Sequence, residues 1–327
     1  MRILGLCNPQ SGGKPERLRL LKHFAHSVTG ASVQMTVAAS DSMEQAESLL
    51  QDAQLGPADV LVVSGGDGTI AHACSWLLHG AASDSSSGVP TIALLPAGST
   101  NMTAFDINTS TEWQRCLDAF LGHLDSSQVR PKTLRPLVDV VDGDRCHAGF
   151  FVGGGAIVRG IEYCNDVLWA GGAARQERTA GLAMVRTIWG VLRKQPPFDQ
   201  VEELNICAAL EDGGERSHNP ESGALLFATS TLDRLIVGVR PFWGEQNHGA
   251  LPYVLVDREA KLARNLPGLL GVTGFRRPVA SRGFHSHNCA ALVLKTESAY
   301  AIDGELFVPQ TGKLELSVSK PLRFLDL

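Results

Sequence analysis

The sequence lacks a long apolar run and an excess of basic residues. No apolar stretch approaches the ~20 residues that a helix needs to cross a bilayer. The 29 Lys and Arg residues are outnumbered by 34 Asp and Glu residues, which gives a net charge of −5. Nucleic-acid binding depends on a basic surface, so we expect no nucleic-acid partner. Hydrophobic residues make up 44% of the chain, which indicates a globular protein with a large core.

Paired cysteines are lacking as well. The seven cysteines are scattered and form no C-x-x-C pair, which indicates reduced thiols in a cytoplasmic protein rather than disulfides or a zinc site. The segment His285-Ser286-His287 has no Cys or carboxylate at a typical ligand spacing, so we interpret it as a polar loop. The apolar segment of residues 1–6 is followed by the polar residue Asn8, so it is too short for the apolar region of a signal peptide. It predicts a first strand instead.

The most informative stretch is Ser64-Gly65-Gly66-Asp67-Gly68-Thr69. It follows the β-branched run Val60–Val63 and precedes apolar residues at helical spacing, so its glycines lie on a strand-to-helix turn. Backbone N–H groups and the helix dipole favour an anion such as phosphate there, and glycines permit close approach and positive φ. Asp67 would repel a bare phosphate, which is consistent with Mg²⁺ between the two. The alternative is an ordinary tight turn capped by Asp67.

Strands and helices alternate through the first 130 residues. Strands are predicted at 2–7, 33–38, 60–63 and 91–95. Helices are predicted at 15–28, from the capping segment Ser40-Asp41-Ser42 to about 54, after Thr69 and at 111–123. This pattern predicts an α/β domain with a parallel, doubly wound sheet. Loops 8–14, 64–69 and 96–101, together with Ser40, would open at the carboxyl edge of that sheet and form a nucleotide-sized cleft.

The pattern changes beyond residue 130, where short alternating segments predict an antiparallel sheet domain over 131–317. Its strands are predicted at 135–141, 147–152, 201–209, 224–230, 235–240, 253–256, 290–295 and 313–319. One apolar helix, 180–194, interrupts them and ends in Arg193-Lys194. A core or interdomain helix is the main interpretation, and a lipid-facing surface is the alternative.

Four motifs resemble the diacylglycerol kinase catalytic-domain family, the bacterial lipid kinases related to sphingosine kinases. They are Asn8-Pro9-Gln10-Ser11-Gly12-Gly13, the central Ser64–Thr69 stretch, Pro96-Ala97-Gly98-Ser99-Thr100-Asn101, and Asp303-Gly304-Glu305. They occur in the order of the family, across nearly the whole chain. The resemblance implies a Rossmann-like (phosphofructokinase-like) domain of residues 1–130, to which about 318–327 return, a β-sandwich-like domain, and ATP bound between them.

The resemblance also implies transfer of the ATP γ-phosphoryl group to a lipid hydroxyl, of a diacylglycerol or sphingoid-like acceptor. Glu305 would be the general base, and Asp67 would hold Mg²⁺ or share that role. Transient contact with a membrane surface follows from the substrate class, and a homodimer is a further expectation. The nucleotide would be bound by Asn8, Ser11, Gly12, Ser40, Gly65, Gly66, Asp67, Gly68, Thr69, Gly98, Ser99 and Asn101.

Two departures from the family pattern are present. Met102 stands where the family usually has an Asp, and His248-Gly249-Ala250-Leu251 stands where many bacterial members have a D-G-x-L segment that holds a structural Mg²⁺. Because Mg²⁺ prefers oxygen ligands, we predict that this structural Mg²⁺ is absent. An NAD kinase-like enzyme and a nucleotide-binding regulatory protein with little catalysis remain the alternatives.

Overall fold

The structure is a computed structural model. It describes residues 1–30, 32–80, 88–98, 100–108, 110–125, 131–168, 187, 189–191, 193, 195–198, 200–235, 239–244, 250–272 and 274–327. The chain divides into two compact units, Met1–Pro136 with Lys320–Leu327, and Leu137–Ser319.

The first unit contains a six-stranded sheet in the order β2-β1-β3-β4-β18-β5. The first five of these strands are parallel to one another, and β5 is antiparallel to β18. The strands are β1 (Arg2–Cys7), β2 (Gln34–Ala39), β3 (Val60–Gly65), β4 (Thr91–Pro96), β5 (Thr133–Arg135) and β18 (Leu322–Phe324). The helices are α1 (Glu16–Val28), α2 (Met43–Ala53), α3 (Asp67–His79), α4 (Met102–Ile107) and α5 (Trp113–Asp125). The predicted parallel sheet is therefore confirmed.

The core of this unit explains why the sequences of β3 and β4 are largely continuous apolar runs. Val60 and Val62 pack in one cluster with Leu21 of α1 and Phe120 of α5. Leu61, which alternates with them and points to the other face, is equally buried. Strands buried on both faces need no polar positions, so they lack the alternation of a half-exposed strand.

The boundary between the two units differs from the predicted one. Thr133–Arg135 forms an edge strand of the first sheet, whereas the sequence analysis placed these residues in the second domain. The predicted strand 135–141 is two elements, since Pro136 cannot donate a ladder hydrogen bond and separates β5 from β6 (Val138–Asp142). Arg135 is held in the first unit by an ion pair with Asp106 at 2.8 Å.

The second unit contains two six-stranded sheets, β10-β9-β14-β17-β6-β7 and β13-β12-β11-β8-β15-β16, whose paired strands are all antiparallel. Their inward side chains, such as Ile206 of one sheet and Tyr253 of the other, share one core, as in a β-sandwich. The further strands are β7 (Arg145–Gly149), β8 (Phe151–Gly155), β9 (Asn205–Ala209), β10 (Glu215–His218), β11 (Ala224–Ser230), β12 (Leu251–Asp257), β13 (Phe284–Cys289), β14 (Ala291–Lys295), β15 (Tyr300–Ile302), β16 (Glu305–Phe307) and β17 (Lys313–Val318). The described part of this unit also contains helices α6 (Ala156–Tyr163) and α7 (Leu262–Leu269).

Three expectations for the second unit are corrected. The segment His285-Ser286-His287 is not a loop but the centre of β13, where it pairs with β12. Of the predicted strand 235–240, residues 236–238 lie outside the described residues, and Leu235, Val239 and Arg240 are not part of a strand. The predicted strand 147–152 is two strands that meet at Phe150.

Two further expectations fall outside the described residues. Most of the predicted helix 180–194 is among them, although residues 187 and 189–191 are helical. His248 and Gly249 are also outside, so the expectation about a structural Mg²⁺ stays a prediction. Within the part of the chain that is described, no helix combines the length and apolarity needed to cross a bilayer.

Candidate functional site

The central turn joins β3 to α3. Helix α3 begins at Asp67, and Gly66 is its N-cap with φ −85° and ψ −179°. Asp67, Gly68 and Thr69 therefore form the first turn, where backbone N–H groups have no acceptor within the helix. These N–H groups and the positive end of the helix dipole suit an anion.

The glycines of this turn are required for space and not for positive φ, which corrects our expectation. Gly65, Gly66 and Gly68 all have φ in the range open to other residues. A Cβ on Gly65 would lie 2.5 Å from the Cβ of Thr69. A Cβ on Gly98 would lie 2.6 Å from the Cα of Gly66. The loops after β3 and β4 thus touch backbone to backbone, and side chains at Gly66 or Gly98 would push them apart.

The loop after β1 packs against the same two loops. Gly12 has a positive φ of 63°, and a Cβ there would lie 2.4 Å from the carbonyl oxygen of Ala97. The side chain of Asn8 donates to the hydroxyl of Thr69 at 3.2 Å. Ser11 Oγ accepts a hydrogen bond of 3.3 Å from the backbone N–H of Gly66. We call residues 8–13, 64–69, 96–98 and 100–101 the loop cluster.

Arg17 brings a positive charge to the loop cluster, and the sequence analysis did not include it. Its guanidinium donates to the carbonyl oxygen of Ala97 at 3.1 Å and lies 5.9 Å from the ring centroid of Trp113. The signal that could have found it is its position in the first turn of α1, directly after the loop that contains Gly12. The same analysis missed Thr100, whose hydroxyl donates to Asp67.

Asp67 holds the start of α4. Its carboxylate accepts hydrogen bonds from the backbone N–H groups of Met102 at 3.0 Å and Thr103 at 2.9 Å, besides that from the hydroxyl of Thr100. The residue is only 7% exposed. Because Asn101, the N-cap of α4, makes no side-chain cap hydrogen bond to the helix, Asp67 supplies the acceptor that a capping side chain would.

This arrangement limits how Asp67 could bind Mg²⁺. An ionised carboxylate offers about four lone-pair sites, of which the three hydrogen bonds leave roughly one. Mg²⁺ bound to a nucleotide keeps several waters and takes one or two carboxylates besides the phosphates. Asp67 therefore fits a single contact to such an ion, and not a bidentate one.

The other predicted residues of the first unit lie at the same edge of the sheet or close to it. Asn101 folds back on its own loop, with Oδ1 accepting from Gly98 N–H at 2.8 Å. Ser40 follows β2 and is 4% exposed, and its hydroxyl donates to Ser42 O at 2.6 Å. Ser42 caps α2 by accepting from Gln45 N–H at 3.2 Å. Ser99 lies outside the described residues.

Glu305 lies in the second unit, at the start of β16. Asp303 and Gly304 both have positive φ, 46° and 94°, and form the tight turn that joins β15 to β16. The carboxylate of Asp303 accepts from the N–H groups of Phe150 at 2.7 Å and Phe151 at 3.0 Å, which anchors the turn. The Asp-Gly pair therefore fixes where Glu305 stands.

Glu305 has the environment of a proton acceptor. Its side chain is half-buried, and among the described residues it has no hydrogen bond or ion pair. Burial raises the pKa of its carboxyl group above the ordinary glutamate value, because removal from water disfavours the charged form. A carboxylate with a raised pKa accepts a proton more readily near neutral pH.

Most of the first unit matches a known protein-family model. Residues 2–131 match the family model of the diacylglycerol kinase catalytic domain, which confirms the resemblance over that range. The match covers the loop cluster and supports a kinase-type phosphotransferase that uses a nucleotide. A comparison with curated proteins finds no match.

Three solved structures from Bacillus anthracis str. Sterne have a similar fold. A diacylglycerol kinase is 12% identical, with a TM-score of 0.60 over 100% of this chain and 97% of that chain. Two proteins described as candidate diacylglycerol kinases are 14% and 13% identical, with TM-scores of 0.65 and 0.64. The match to the first of these two covers 98% of this chain and 92% of that chain, and the match to the second covers 99% of this chain and 97% of that chain. At these identities the likeness establishes the mixed α/β fold.

Proposed function

We propose that this chain is an ATP-dependent lipid kinase. The proposal starts from the match of residues 2–131 to the diacylglycerol kinase catalytic domain. It would transfer the γ-phosphoryl group of ATP to the hydroxyl of a lipid such as a diacylglycerol or a sphingoid base. The observation that carries the proposal is the loop cluster, in which Gly12, Gly66 and Gly98 bring three loops together beside the start of α3.

The loop cluster would bind the phosphates of ATP. The N–H groups of Asp67, Gly68 and Thr69 and the backbone of the other two loops supply donors, and Arg17 supplies a charge. Asp67 would give Mg²⁺ one oxygen. The ion, when bound with ATP, would neutralise phosphate charge, which phosphoryl transfer requires more than covalent chemistry. Ser40 would lie at the edge of this nucleotide site.

Glu305 would act as the general base. As the acceptor oxygen bonds to the γ-phosphorus and the bond to the β-γ bridging oxygen breaks, the hydroxyl proton passes to a carboxylate oxygen of Glu305, and ADP leaves. Since Asp67 is committed to α4 by three hydrogen bonds, Glu305 is the better proton acceptor of the two. Its contribution should be about 10²–10⁴-fold in rate.

The test incubates the full chain with γ-labelled ATP and Mg²⁺ and separates the products by chromatography and mass spectrometry. The acceptors are diacylglycerol and sphingoid bases in mixed vesicles, with NAD as a water-soluble acceptor. The proposal expects labelled lipid from the wild type and a loss of about 10²–10⁴-fold in Glu305→Gln. The matched control, Glu203→Gln, alters an exposed glutamate and should keep full activity.

Two results would contradict the proposal. Labelled NAD without any labelled lipid would identify a nicotinamide-nucleotide kinase. Tight ATP binding without turnover on any acceptor would identify a regulatory nucleotide-binding protein.

We also propose that contact with the membrane is transient. Co-sedimentation with lipid vesicles measures this contact: the chain should pellet only in part and leave the vesicles when they are diluted.

A further inference from the structure

Three histidines of the second unit lie close together. His218 belongs to β10, and His285 and His287 belong to β13. The ring of His218 lies 4.7 Å from that of His285 and 5.3 Å from that of His287, between centroids. One ring nitrogen from each residue can be chosen so that all three lie within 4.8 Å of one another. The cluster is far from the loops assigned to ATP in sequence, and its chemistry does not enter the proposed function.

The topology places these histidines between the two sheets. Strands β10 and β13 are edge strands, one in each sheet. His218 is in register with Ile206, and His287 with Tyr253, and both of these partners belong to the shared core. Because side chains on neighbouring strands in register point to the same face, the histidines face inward. An ion held by all three would therefore join the edges of the two sheets.

Two of the histidines present a ring nitrogen that lacks a partner. His285 Nε2 lies 3.0 Å from Asp257 Oδ2, which orients the ring and favours the tautomer with the proton on Nε2. Its Nδ1 is buried with no hydrogen-bond partner, and so is Nε2 of His218. A buried polar atom without a partner is costly, and a bound cation would remove that cost.

We propose that His218, His285 and His287 bind a divalent transition-metal ion, Zn²⁺ in preference to others. Neutral imidazoles suit Zn²⁺ and are poor ligands for Mg²⁺ or Ca²⁺. Three histidines with a water in the fourth position is a known zinc coordination. Burial, followed by the charges of His285 and Arg216, lowers the pKa of His218 to about 4, so its ring is neutral at physiological pH. The arrangement around His285, with a carboxylate behind a ligating histidine, is typical of zinc sites.

Binding requires a small closure, and binding through Nδ1 of His287 also requires the departure of Arg216. Nitrogens bound to one tetrahedral Zn²⁺ at 2.0–2.1 Å are about 3.3 Å apart, so the rings must approach by rotation. The guanidinium of Arg216 donates to Nδ1 of His287 and must leave for that nitrogen to bind the ion. Arg216 therefore competes with the metal for one ligand.

The site has a purely structural alternative. Inward-pointing polar and charged groups on edge strands hinder pairing with another chain, and Arg216 with the histidines could serve that purpose alone. The two interpretations make different predictions for Arg216→Gln, because the structural alternative expects no metal binding in either the wild type or this variant. If the cluster binds metal, removal of the competing cation should tighten binding by about tenfold or more, since outer-shell changes typically act on affinity at that scale.

The test titrates the full chain with Zn²⁺ by calorimetry and with Co²⁺ by visible absorption, which reports tetrahedral coordination. Thermal unfolding with and without Zn²⁺ follows the stabilisation that binding to the native state gives. We expect one site, a rise in unfolding temperature, and at least tenfold weaker binding in His218→Gln and His285→Gln. Asp257→Asn should weaken binding about 10–100-fold. His26→Gln changes an exposed histidine of α1 and should change nothing.

Three outcomes would overturn the proposal. The first is the absence of a Zn²⁺ site in the wild type and in Arg216→Gln. The second is unchanged affinity in the folded His218→Gln and His285→Gln variants, with circular dichroism showing that they are folded. The third is a strong sulfur-to-cobalt band that persists in these variants, because Cys207 lies opposite Ser217 on the neighbouring strand and thiolates also bind these ions.

Discussion

Asp67 should act as a clamp on α4, and Asp67→Asn tests this directly. The substitution keeps the size of the side chain and removes one of its two acceptor oxygens. An asparagine can still accept from Met102 N–H or from Thr103 N–H, but its amide group would face the other with a donor. One buried N–H group would therefore lose its acceptor.

The magnitude follows from these contacts. A hydrogen bond to a charged acceptor is worth about 1.5–3 kcal/mol, and the loss of negative charge at the N-terminus of α4 adds about 0.3–1 kcal/mol. Asp67→Asn should thus destabilise α4 and the loop before it by about 2–4 kcal/mol. This corresponds to roughly a 30- to 1,000-fold increase in local opening.

Amide hydrogen exchange read by mass spectrometry over residues 100–107 measures this opening without assuming that the two units unfold together. Exchange of these residues should accelerate in Asp67→Asn and stay unchanged in Asp52→Asn, which alters an exposed aspartate of α2. If Asp67→Asn abolished phosphoryl transfer while exchange changed less than about twofold, the clamp would be refuted, since such a change is under 0.5 kcal/mol. The carboxylate would then serve the reaction alone.

Three further predictions follow from the two units. Gly98→Ala places a methyl group against Gly66 and should cost about 1–3 kcal/mol in chemical denaturation, whereas Gly122→Ala on the exposed side of α5, with open space around it, should gain up to about 1 kcal/mol. Equal stability of both variants would contradict the loop contact. Burial raises the pKa of Glu305, so the native state binds this proton more tightly than the unfolded state does, and stability is lost as the pH rises through the native pKa. Glu305→Gln should therefore raise the unfolding temperature at alkaline pH and leave it unchanged in acid, below the ordinary glutamate range; a lower unfolding temperature at alkaline pH would show that the charge is stabilised. Asp303→Ala removes the acceptor of two backbone N–H groups and should lower the free energy of unfolding of the second unit by about 1–3 kcal/mol. Its unfolding temperature should fall accordingly, and an unchanged temperature would mean that the turn is held by other contacts.

Sequence reasoning was most successful where local pattern decides structure. The run Val60–Val63 forms a strand because parallel strands covered on both faces are apolar throughout, and this signal needs no knowledge of partners. The Asp303-Gly304 pair forms a hairpin turn for a similarly local reason, because both positions take positive φ.

The site required contacts that no local pattern contains. The role of Asp67 depends on the backbone amides of Met102 and Thr103, which belong to another helix, α4. Its position in the first turn of α3 suggests only a cap of α3 itself. The pair His285 and His287 looked isolated because the third histidine, His218, comes from the edge strand of another sheet. The polar–apolar alternation of a half-exposed strand does not mark β13, because Phe284 and Ser286 are buried on the face opposite the histidines.

The contact between Gly66 and Gly98 also bears on how a nucleotide could be bound. Loops are commonly the most mobile part of a fold, and ordering them on binding lowers affinity. Here two loops touch through their backbones, and Gly12 fixes the third against Ala97, so their N–H groups are positioned when the chain folds. Such preorganised donors are the kind that stabilise developing charge effectively. A side chain at Gly98 should therefore lower stability and nucleotide affinity together, whereas in a merely flexible glycine loop it would lower affinity alone.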